Sequence, residues 1–351
     1  MIKFIDVKDA IYKEEKLLVD VRSPFEHSEG TIPGAINIPL FNDKERIEVG
    51  TLYKKVGVDH AKIKGIEYAA TKLSVFYERL LELSKTKKDI IIFCARGGLR
   101  SSSIVSFFNN LGVEVYQLKN GYKGYRRFIL EYFEELNKHH QFIVLHGYTG
   151  VGKTEILQKI NKRNIAVLDI EMLARNTGSV FGNIGFIDSQ TINQKNFEAI
   201  IVDTLIKSKQ RTMIVESESK RIGNVSMPNS LYESIIKGKH ILLKTTIENR
   251  VDRLANDYAY KIPEHDELLI ESIMSLKARI GNENVLRYIE YIKNKHYEDV
   301  ARELVIDYYD PLYQHSIKKY NYDLTIDYDK IEEAVDVIEN FYHTIEKEIK
   351  R

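Results

Sequence analysis

The sequence predicts an α/β fold made of two consecutive parallel-sheet domains and a helical C-terminal region. The chain has 351 residues, longer than a common single domain, so two domains are expected. Short apolar runs alternate with helical stretches in both halves, which is the pattern of strands joined by crossover helices. Two loops, at residues 94–101 and 147–154, each follow an apolar run and precede a helical stretch. Each loop marks one domain.

The composition is that of an ordinary folded protein, with 43% hydrophobic and 29% charged residues. The formal net charge is +1, so nucleic-acid binding would depend on local basic patches such as residues 119–127 and Lys220-Arg221. No run approaches eighteen apolar residues, and residues 1–7 do not resemble a signal peptide. These features predict a cytoplasmic protein with no membrane partner. Cys94 is the only cysteine, which excludes an internal disulfide and a cysteine-rich zinc site.

The first domain is predicted to span residues 1–130. Its strands are the apolar runs at residues 17–21, 90–93 and 113–118. Residues 101–111 predict a helix that Gly112 closes. A polar helical pattern covers residues 128–140, and residues 131–141 are predicted to connect the two domains.

The second domain is predicted to have its core at residues 142–247. Its strands are expected at residues 142–145, 165–168, 212–215 and 240–243. From about residue 248 the pattern is helical and charged, without a strong strand. Residues 248–351 are therefore predicted to form the helical C-terminal region.

Cys94 lies at the turn between a predicted strand and a predicted helix. Backbone N–H groups of such a turn converge, so they stabilise a thiolate and bind a tetrahedral anion. Arg100 adds a positive charge that lowers the pKa of the thiol. The alternative, a buried structural cysteine, needs none of these features. We predict that Cys94 and Arg100 are catalytic and that the residues between them form the anion cradle, namely Ala95, Arg96, Gly97, Gly98 and Leu99.

The second loop, at residues 147–154, matches the pattern G-x-x-x-x-G-K-[ST] of phosphate-binding P-loops. Lys153 would neutralise phosphate charge, and Thr154 is a candidate ligand for Mg²⁺. No other metal ligand is predicted with certainty, and the pattern does not identify the phosphate compound. The predicted phosphate-binding residues are Gly147, Tyr148, Thr149, Gly150, Val151, Gly152, Lys153 and Thr154.

Four charged residues are candidate partners of this P-loop. Asp169 and Glu216 end predicted strands, at the sheet edge where ligands of parallel sheets bind. Lys220 and Arg221 are candidate clamps for anionic groups, and Arg250 and Arg253 are two further candidates for this role. The alternative roles are helix capping for the acids and ordinary surface charge for the cations.

Two segments of the first domain resemble the signatures of the rhodanese family. Residues 20–39, DVRSPFEHSEGTIPGAINIP, resemble its N-terminal signature, with Thr31 where histidine is common, and residues 115–122, VYQLKNGY, resemble its C-terminal signature. Five residues separate Cys94 from Arg100, one more than in ordinary sulfurtransferases. This width resembles the loop of Cys phosphatases and suits a phosphate-shaped donor, although Phe93 stands where those phosphatases have histidine.

A rhodanese domain followed by a P-loop domain resembles the tRNA 2-selenouridine synthases. Further segments that resemble this family are residues 169–174 (DIEMLA), 178–182 (GSVFG), 194–198 (QKNFE), 216–223 (ESESKRIG) and 308–313 (YYDPLY). The resemblance implies a transferase that acts on the wobble uridine in the anticodon region of tRNA. Geranyl diphosphate alkylates the sulfur of 2-thiouridine, and selenium from selenophosphate then replaces it. It further implies that Cys94 serves the selenium step and that the P-loop holds the prenyl diphosphate.

Three other classes of function stay open. One is an ATP-dependent tRNA sulfurtransferase, with a persulfide on Cys94 and ATP at the P-loop. Another is a Cys phosphatase fused to a small-molecule kinase. The third is a non-catalytic binding module.

Overall fold

The computed structural model describes residues 2–86, 88–176, 192–260 and 266–349. They form two compact units. One comprises Met1–Glu134 and Asn193–Ile206, and the other comprises Glu135–Ile192 and Lys207–Arg351. Among the helices of the described residues, none is both long enough and apolar enough to cross a bilayer.

The first unit is built on a five-stranded parallel sheet with the strand order β1-β5-β4-β2-β3. The central strand β4 is fully buried from Ile90 to Phe93, because helices cover both faces of such a sheet. The strands are β1 (Lys3–Ile5), β2 (Lys16–Asp20), β3 (Ile36–Asn37), β4 (Asp89–Phe93) and β5 (Val115–Leu118).

Seven helices lie in the described residues before Glu135 and accompany this sheet. The second begins with a capping box, in which the Ser23 hydroxyl accepts the N–H of Glu26 and the Glu26 carboxylate accepts the N–H of Ser23. The helices are α1 (Val7–Tyr12), α2 (Pro24–Ser28), α3 (Asp43–Lys55), α4 (Val58–Ala70), α5 (Leu73–Ser84), α6 (Leu99–Asn110) and α7 (Gly121–Glu134).

The second unit is built on another five-stranded parallel sheet, with the order β12-β11-β6-β8-β7. A short antiparallel hairpin, β9 and β10, follows β8. The strands are β6 (Gln141–His146), β7 (Val167–Leu168), β8 (Thr212–Glu216), β9 (Arg221–Ile222), β10 (Val225–Ser226), β11 (Lys239–Lys244) and β12 (Leu324–Asp327).

The remaining helices lie after residue 135, and two π-helical turns, Asn256–Tyr260 and Leu304–Tyr309, interrupt the last third of the chain. The helices are α8 (Leu136–His139), α9 (Lys153–Lys162), α10 (Ile170–Ala174), α11 (Gln194–Ser208), α12 (Asn229–Ile236), α13 (Ile247–Ala255), α14 (Asp266–Ser275), α15 (Lys277–Ile280), α16 (Asn282–Lys293), α17 (Tyr297–Glu303), α18 (Asp310–Ile317) and α19 (Ile331–Ile349).

The two predicted parallel sheets and the helical C-terminal region are confirmed, but a strand, β12, follows residue 248, where the sequence indicated no strong strand. Strand β12 pairs in parallel with β11, from Ile241↔Leu324 to Lys244↔Asp327, and forms one edge of the second sheet. Only Ile326 of its four residues is buried, so the strand carries little apolar signal. The polar helix predicted at residues 128–140 also differs, because α7 already begins at Gly121 and ends at Glu134.

Helix α11 was predicted within the second domain, but Asn193–Ile206 belongs to the first unit. Glu198 forms an ion pair with Arg126, and the Asn196 side-chain oxygen accepts the N–H of Thr31 at 3.2 Å. The helical periodicity of this segment is the same in either unit, so only these long-range contacts reveal where it packs.

Gly121 permits a close contact between the start of α7 and the loop that carries Cys94. Its φ is +52°, and a Cβ at this position would lie 2.1 Å from the Cys94 carbonyl oxygen. The next two N–H groups, of Tyr122 and Lys123, donate to the carbonyls of Cys94 and Ala95, both at 2.9 Å. Glycine is therefore required here on grounds of both conformation and space.

We expect Gly121→Ala to lower the free energy of unfolding by about 2 kcal/mol or more, because left-handed backbone and the clash with Cys94 both oppose the new Cβ. Gly50→Ala is the matched control. Gly50 lies inside α3, and outside that helix no described atom comes within 4 Å of where a Cβ would stand, so this change should stabilise by about 0.5–1 kcal/mol. Urea unfolding followed by circular dichroism measures both. Equal stability of Gly121→Ala and the natural chain would contradict the close-contact argument.

Candidate functional site

The Cys94 loop (residues 94–101) joins β4 to α6. Cys94 follows the last residue of β4, and its side chain is buried, with 3% of the residue exposed. Its Sγ lies 3.2 Å from the Ser101 Oγ. The Gly98 carbonyl lies 3.9 Å from the same sulfur. Two residues of this turn, Gly98 and Ser101, therefore contact the sulfur atom.

Opposing effects act on the pKa of Cys94. Burial alone would raise it, because it disfavours the charged thiolate. Hydrogen bonds from the Ser101 hydroxyl and from the N–H groups of Arg96 and Ser101, together with the charge of Arg100, outweigh burial. The pKa of the Cys94 thiol is therefore below its ordinary value, as a nucleophilic cysteine requires.

Ser101 is a site residue that was not predicted from the sequence. Gln117 donates from Nε2 to the Ser101 Oγ at 3.0 Å and to the Gly97 carbonyl at 2.7 Å. Because the Oγ accepts this hydrogen bond, its own proton is left for Cys94 Sγ or for the Gly98 carbonyl, each 3.2 Å away. The available signal was position, since Ser101 directly follows Arg100 at the start of α6.

Arg100 is held in place by Glu26. The two side chains form a two-pronged ion pair, with Nη–Oε distances of 2.6 and 3.2 Å. Burial would raise the pKa of Glu26, but the hydrogen bond and charge of Arg100 lower it below the ordinary value. The same carboxylate caps α2, so the N-terminal signature positions the cation of the Cys94 loop.

A second ion pair, between Arg22 and Asp20 at the start of the same signature, is buried. Arg22 Nη2 lies 2.6 Å from Asp20 and also donates to the Gly30 carbonyl, and its guanidinium lies 4.1 Å from the centre of the Tyr122 ring. Thr31, which stands where histidine is common, donates from Oγ1 to Asp20 at 3.0 Å. This departure from the rhodanese signature therefore keeps a hydrogen bond to the buried acid.

The P-loop (residues 147–154) joins β6 to α9. Gly150 and Gly152 have φ values of +83° and +81°, which favour glycine. Lys153 is the first residue of α9, and its Nζ lies 3.4 Å from the Gly147 carbonyl. Thr154 is exposed at the second position of the helix. The loop therefore has the strand, turn and helix order that phosphate binding requires.

Side chains from later in the second unit bind the carbonyls of the P-loop. Arg250 donates from Nε to the Thr149 carbonyl at 2.8 Å, and Arg253 donates to that of Gly150 at 2.6 Å. The hydroxyl of Tyr328 donates to the Val151 carbonyl. Arg250 is 6% exposed and pairs with Asp310, in the segment that resembles Tyr-Asp-Pro-x-Tyr. Three consecutive carbonyls are therefore satisfied, which fixes the loop.

The carboxylates of Glu171, Glu216 and Glu218 form a three-glutamate cluster. One oxygen of each lies within 4.8 Å of those of the other two. The pKa of all three glutamates is raised above its ordinary value by burial, and the charge of Lys153 offsets this rise only in part. Glu216 was predicted from the sequence, but Glu171 and Glu218 were missed. Glu171 lies 45 positions before Glu216 in the chain, so the sequence contains no pattern that links these two residues.

The other predicted partners of the P-loop have different surroundings. Asp169 caps α10, where its Oδ1 accepts the N–H of Met172 at 2.9 Å, and burial raises its pKa. Its charge also acts on the three-glutamate cluster. Lys220 and Arg221 are exposed, and Arg221 Nε donates to the nearby Gly223 carbonyl in the β9–β10 hairpin. The basic stretch at residues 119–127 contains Lys119, which pairs with Asp6 at 2.7 Å.

An apolar cavity of about 80 Å³ adjoins the P-loop in the second unit. Thr149 of the P-loop forms part of its wall. The remaining wall comes from α13 and the helices that follow it, and it is lined by Leu254, Ala255, Ala259, Leu269, Ile273, Ile292, Tyr297, Val300, Ala301, Leu304, Val305 and Tyr309. This cavity was not predicted from the sequence, because its walls come from separate helices.

The structure therefore defines a two-domain protein with a rhodanese-type thiol loop in one unit and a loop of P-loop sequence, between a strand and a helix, in the other. A family model described as a rhodanese-like domain matches residues 5–128, and one described as the tRNA 2-selenouridine synthase AAA domain matches residues 140–344. The chain belongs to the tRNA 2-selenouridine synthase family. The GSVFG segment at residues 178–182, which also resembles this family, lies outside the described residues.

Curated relatives agree with this assignment over most of the chain. A tRNA 2-selenouridine synthase of Nitrosomonas europaea is 32% identical over 291 residues, covering 81% of this chain and 74% of its own. That of Pseudomonas syringae pv. syringae is 30% identical over 335 residues, covering 87% and 89%. That of Shewanella sediminis is 30% identical over 347 residues, covering 89% and 92%.

We expect Ser101→Ala to slow alkylation of Cys94 at neutral pH by about tenfold, because losing one hydrogen bond to a charged group costs about 1.5–3 kcal/mol. The pKa of Cys94 should rise, so the pH profile of the iodoacetamide reaction should shift to higher pH. Cys94 is the only cysteine, so the signal reports this site alone. Ser103→Ala, an exposed serine of the same helix, is the control. An unshifted profile in Ser101→Ala would argue against the thiolate contact.

Proposed function

We propose that this protein replaces the 2-thio sulfur of the wobble uridine in tRNA with selenium, through an S-geranylated intermediate. Family membership supports tRNA as the substrate, because the curated relatives are named tRNA 2-selenouridine synthases. The observation that carries the prenyl chemistry is the apolar cavity that shares Thr149 with the P-loop. A prenyl diphosphate suits this arrangement, since its phosphates meet Lys153 and backbone N–H groups while its chain meets apolar walls.

The first step takes place at the P-loop. The sulfur of 2-thiouridine attacks C1 of geranyl diphosphate, the carbon–oxygen bond breaks, and diphosphate leaves with the bonding electrons. The N3 proton of the uridine is lost in the same step. Lys153 and the P-loop N–H groups stabilise the charge that develops on the leaving diphosphate. The S-geranyl group makes the sulfur a better leaving group at C2.

The second step uses the Cys94 loop. The Cys94 thiolate attacks the phosphorus of selenophosphate, which the N–H groups and Arg100 hold, and the phosphorus–selenium bond breaks. The hydrogenselenide ion, HSe⁻, leaves because it is a weaker base than the Cys94 thiolate. It then attacks C2 of the geranylated uridine. The carbon–sulfur bond breaks and geranyl thiolate departs, which gives 2-selenouridine. Water then hydrolyses the S-phosphocysteine to phosphate and the free thiol.

The direct test is incubation of the protein with 2-thiouridine tRNA, geranyl diphosphate and selenophosphate, followed by nucleoside mass spectrometry. We expect both S-geranyl-2-thiouridine and 2-selenouridine. Cys94→Ala should stop selenium incorporation while the geranylated nucleoside still forms, because the thiolate acts only in the second step. Lys153→Ala should block geranylation.

Three outcomes of this test contradict the proposal. If the folded protein forms neither S-geranyl-2-thiouridine nor 2-selenouridine, the proposed reaction is wrong. Loss of the same single step in both variants rejects the division of labour between the two loops. ATP hydrolysis that tRNA stimulates, with sulfur transfer and no geranylation, supports an ATP-dependent sulfurtransferase instead.

The prenyl role of the cavity has its own test. Ala301→Leu places a larger side chain in the cavity wall, so we expect the affinity for geranyl diphosphate to fall about tenfold while that for inorganic pyrophosphate is unchanged. Ala278→Leu is the control, because Ala278 is exposed in the same helical region and is not part of the wall. Calorimetric titration measures the affinities. An equal loss for both ligands in Ala301→Leu would place the effect at the P-loop and reject the prenyl assignment.

A further inference from the structure

The three-glutamate cluster has a feature that ordinary acidic surfaces lack. Glu216, the last residue of β8, is 1% exposed, and within the described part of the chain its Oε1 accepts no hydrogen bond. A buried carboxylate oxygen without a partner is costly, by about 1–3 kcal/mol or more for a charged group. Glu171 and Glu218 bring their own carboxylate oxygens within 4.8 Å of this group. The missing partner must therefore satisfy several oxygens at once.

The charges around the cluster favour a cation as that partner. The side chain of Lys153 is the nearby positive group that acts on all three carboxyls, while Asp169 adds a further negative charge. One ammonium cannot balance four acids. This ammonium belongs to the P-loop lysine, Lys153, which in P-loop proteins binds phosphate. Without a cation the cluster must either take up protons, as the raised pKa values of its glutamates indicate, or repel an anion at the P-loop.

We propose that Glu171, Glu216 and Glu218 form a divalent-cation site beside the P-loop. Several closely spaced carboxylate oxygens are the ligands that hard cations such as Mg²⁺ and Mn²⁺ prefer. Bound there, the cation supplies Glu216 Oε1 with a partner and turns a repulsive surface into one that attracts a diphosphate. The proposal of a cation site is argued from the three-glutamate cluster alone. Only its link to a prenyl diphosphate rests on the proposed function.

The three glutamates reach the P-loop edge by different routes. Glu171 lies in the first turn of α10, directly after β7, and β7 pairs with β8 through Val167↔Ile214 and Leu168↔Val215. Glu218 follows β8 by two residues. Because parallel strands end at the same edge of a sheet, this pairing brings the carboxylates together. Two adjacent strands therefore build the site on rigid elements.

The test is calorimetric titration of the full-length protein with MgCl₂, repeated with MnCl₂ and electron paramagnetic resonance. We expect the natural chain to bind one equivalent of cation. Glu216→Gln keeps the shape of the side chain but removes its charge, and it should weaken cation binding at least tenfold. Glu283→Gln is the control, since Glu283 is exposed in the first turn of α16, and it should bind as the natural chain does.

A second measurement keeps the proposal open to refutation if a variant folds poorly. Mg²⁺ should raise the affinity of the natural chain for inorganic pyrophosphate at least tenfold and should have no effect on Glu216→Gln. Without Mg²⁺, Glu216→Gln should bind pyrophosphate at least as tightly as the natural chain, because one repelling charge is gone. A misfolded variant would instead lose pyrophosphate binding under both conditions, and Glu218→Gln then takes its place in the comparison.

Two results would overturn the cation site: no binding of Mg²⁺ or Mn²⁺ by the natural chain with or without pyrophosphate, or equal cation binding by the natural chain and a folded glutamine variant. The failure of the proposed function looks different. In that case the natural chain binds Mg²⁺ and pyrophosphate together but does not bind geranyl diphosphate more tightly than pyrophosphate. The cation site then stands and the prenyl substrate does not.

Discussion

Hydrogen bonds donated to loop carbonyls determine the geometry of both candidate sites. In a trans peptide the C=O and the following N–H point to opposite sides, so binding the carbonyl also fixes the N–H. Lys123 N–H binds the Ala95 carbonyl, and the N–H on the other side of that peptide belongs to Arg96, whose backbone lowers the pKa of Cys94. Arg250 and Arg253 bind two P-loop carbonyls in the same manner. Donors far along the chain thus orient each anion-binding loop.

The two loops differ in how they handle charge. Beside the Cys94 loop, Arg100 pairs with the partly buried Glu26, and Arg22 pairs with the buried Asp20. Such pairs hold a cation in place at little net charge, because each guanidinium is already balanced. Around the P-loop lysine the balance is reversed, with the three-glutamate cluster in excess. The cations Arg100 and Arg22 are therefore each held by an acid, whereas beside the P-loop the acidic groups outnumber the lysine.

The sequence predicts those features whose residues are contiguous. Cys94 with Arg100, and the P-loop with Lys153, each lie within eight positions, so strand, loop and helix can be recognised together. Features that depend on distant contacts were missed. The partnership of Glu171 with Glu216 arises only when β7 pairs with β8. Arg250 was predicted as a possible clamp for anions, but its contact with the Thr149 carbonyl, 101 positions away, was not. Strand β12 was missed because a single buried residue gives no periodic signal.

The placement of α11 has a consequence for how the chain is made. The first unit includes Asn193–Ile206, yet the strands β6 and β7 of the second sheet are synthesised before that segment. During translation the apolar surface that α11 covers, near Ile11, Ile32 and Phe128, stays open until residues 135–206 have been made. The first unit is therefore complete only after part of the second sheet has been made. A single cut between neighbouring residues near residue 134 would leave Asn193–Ile206 with the second unit.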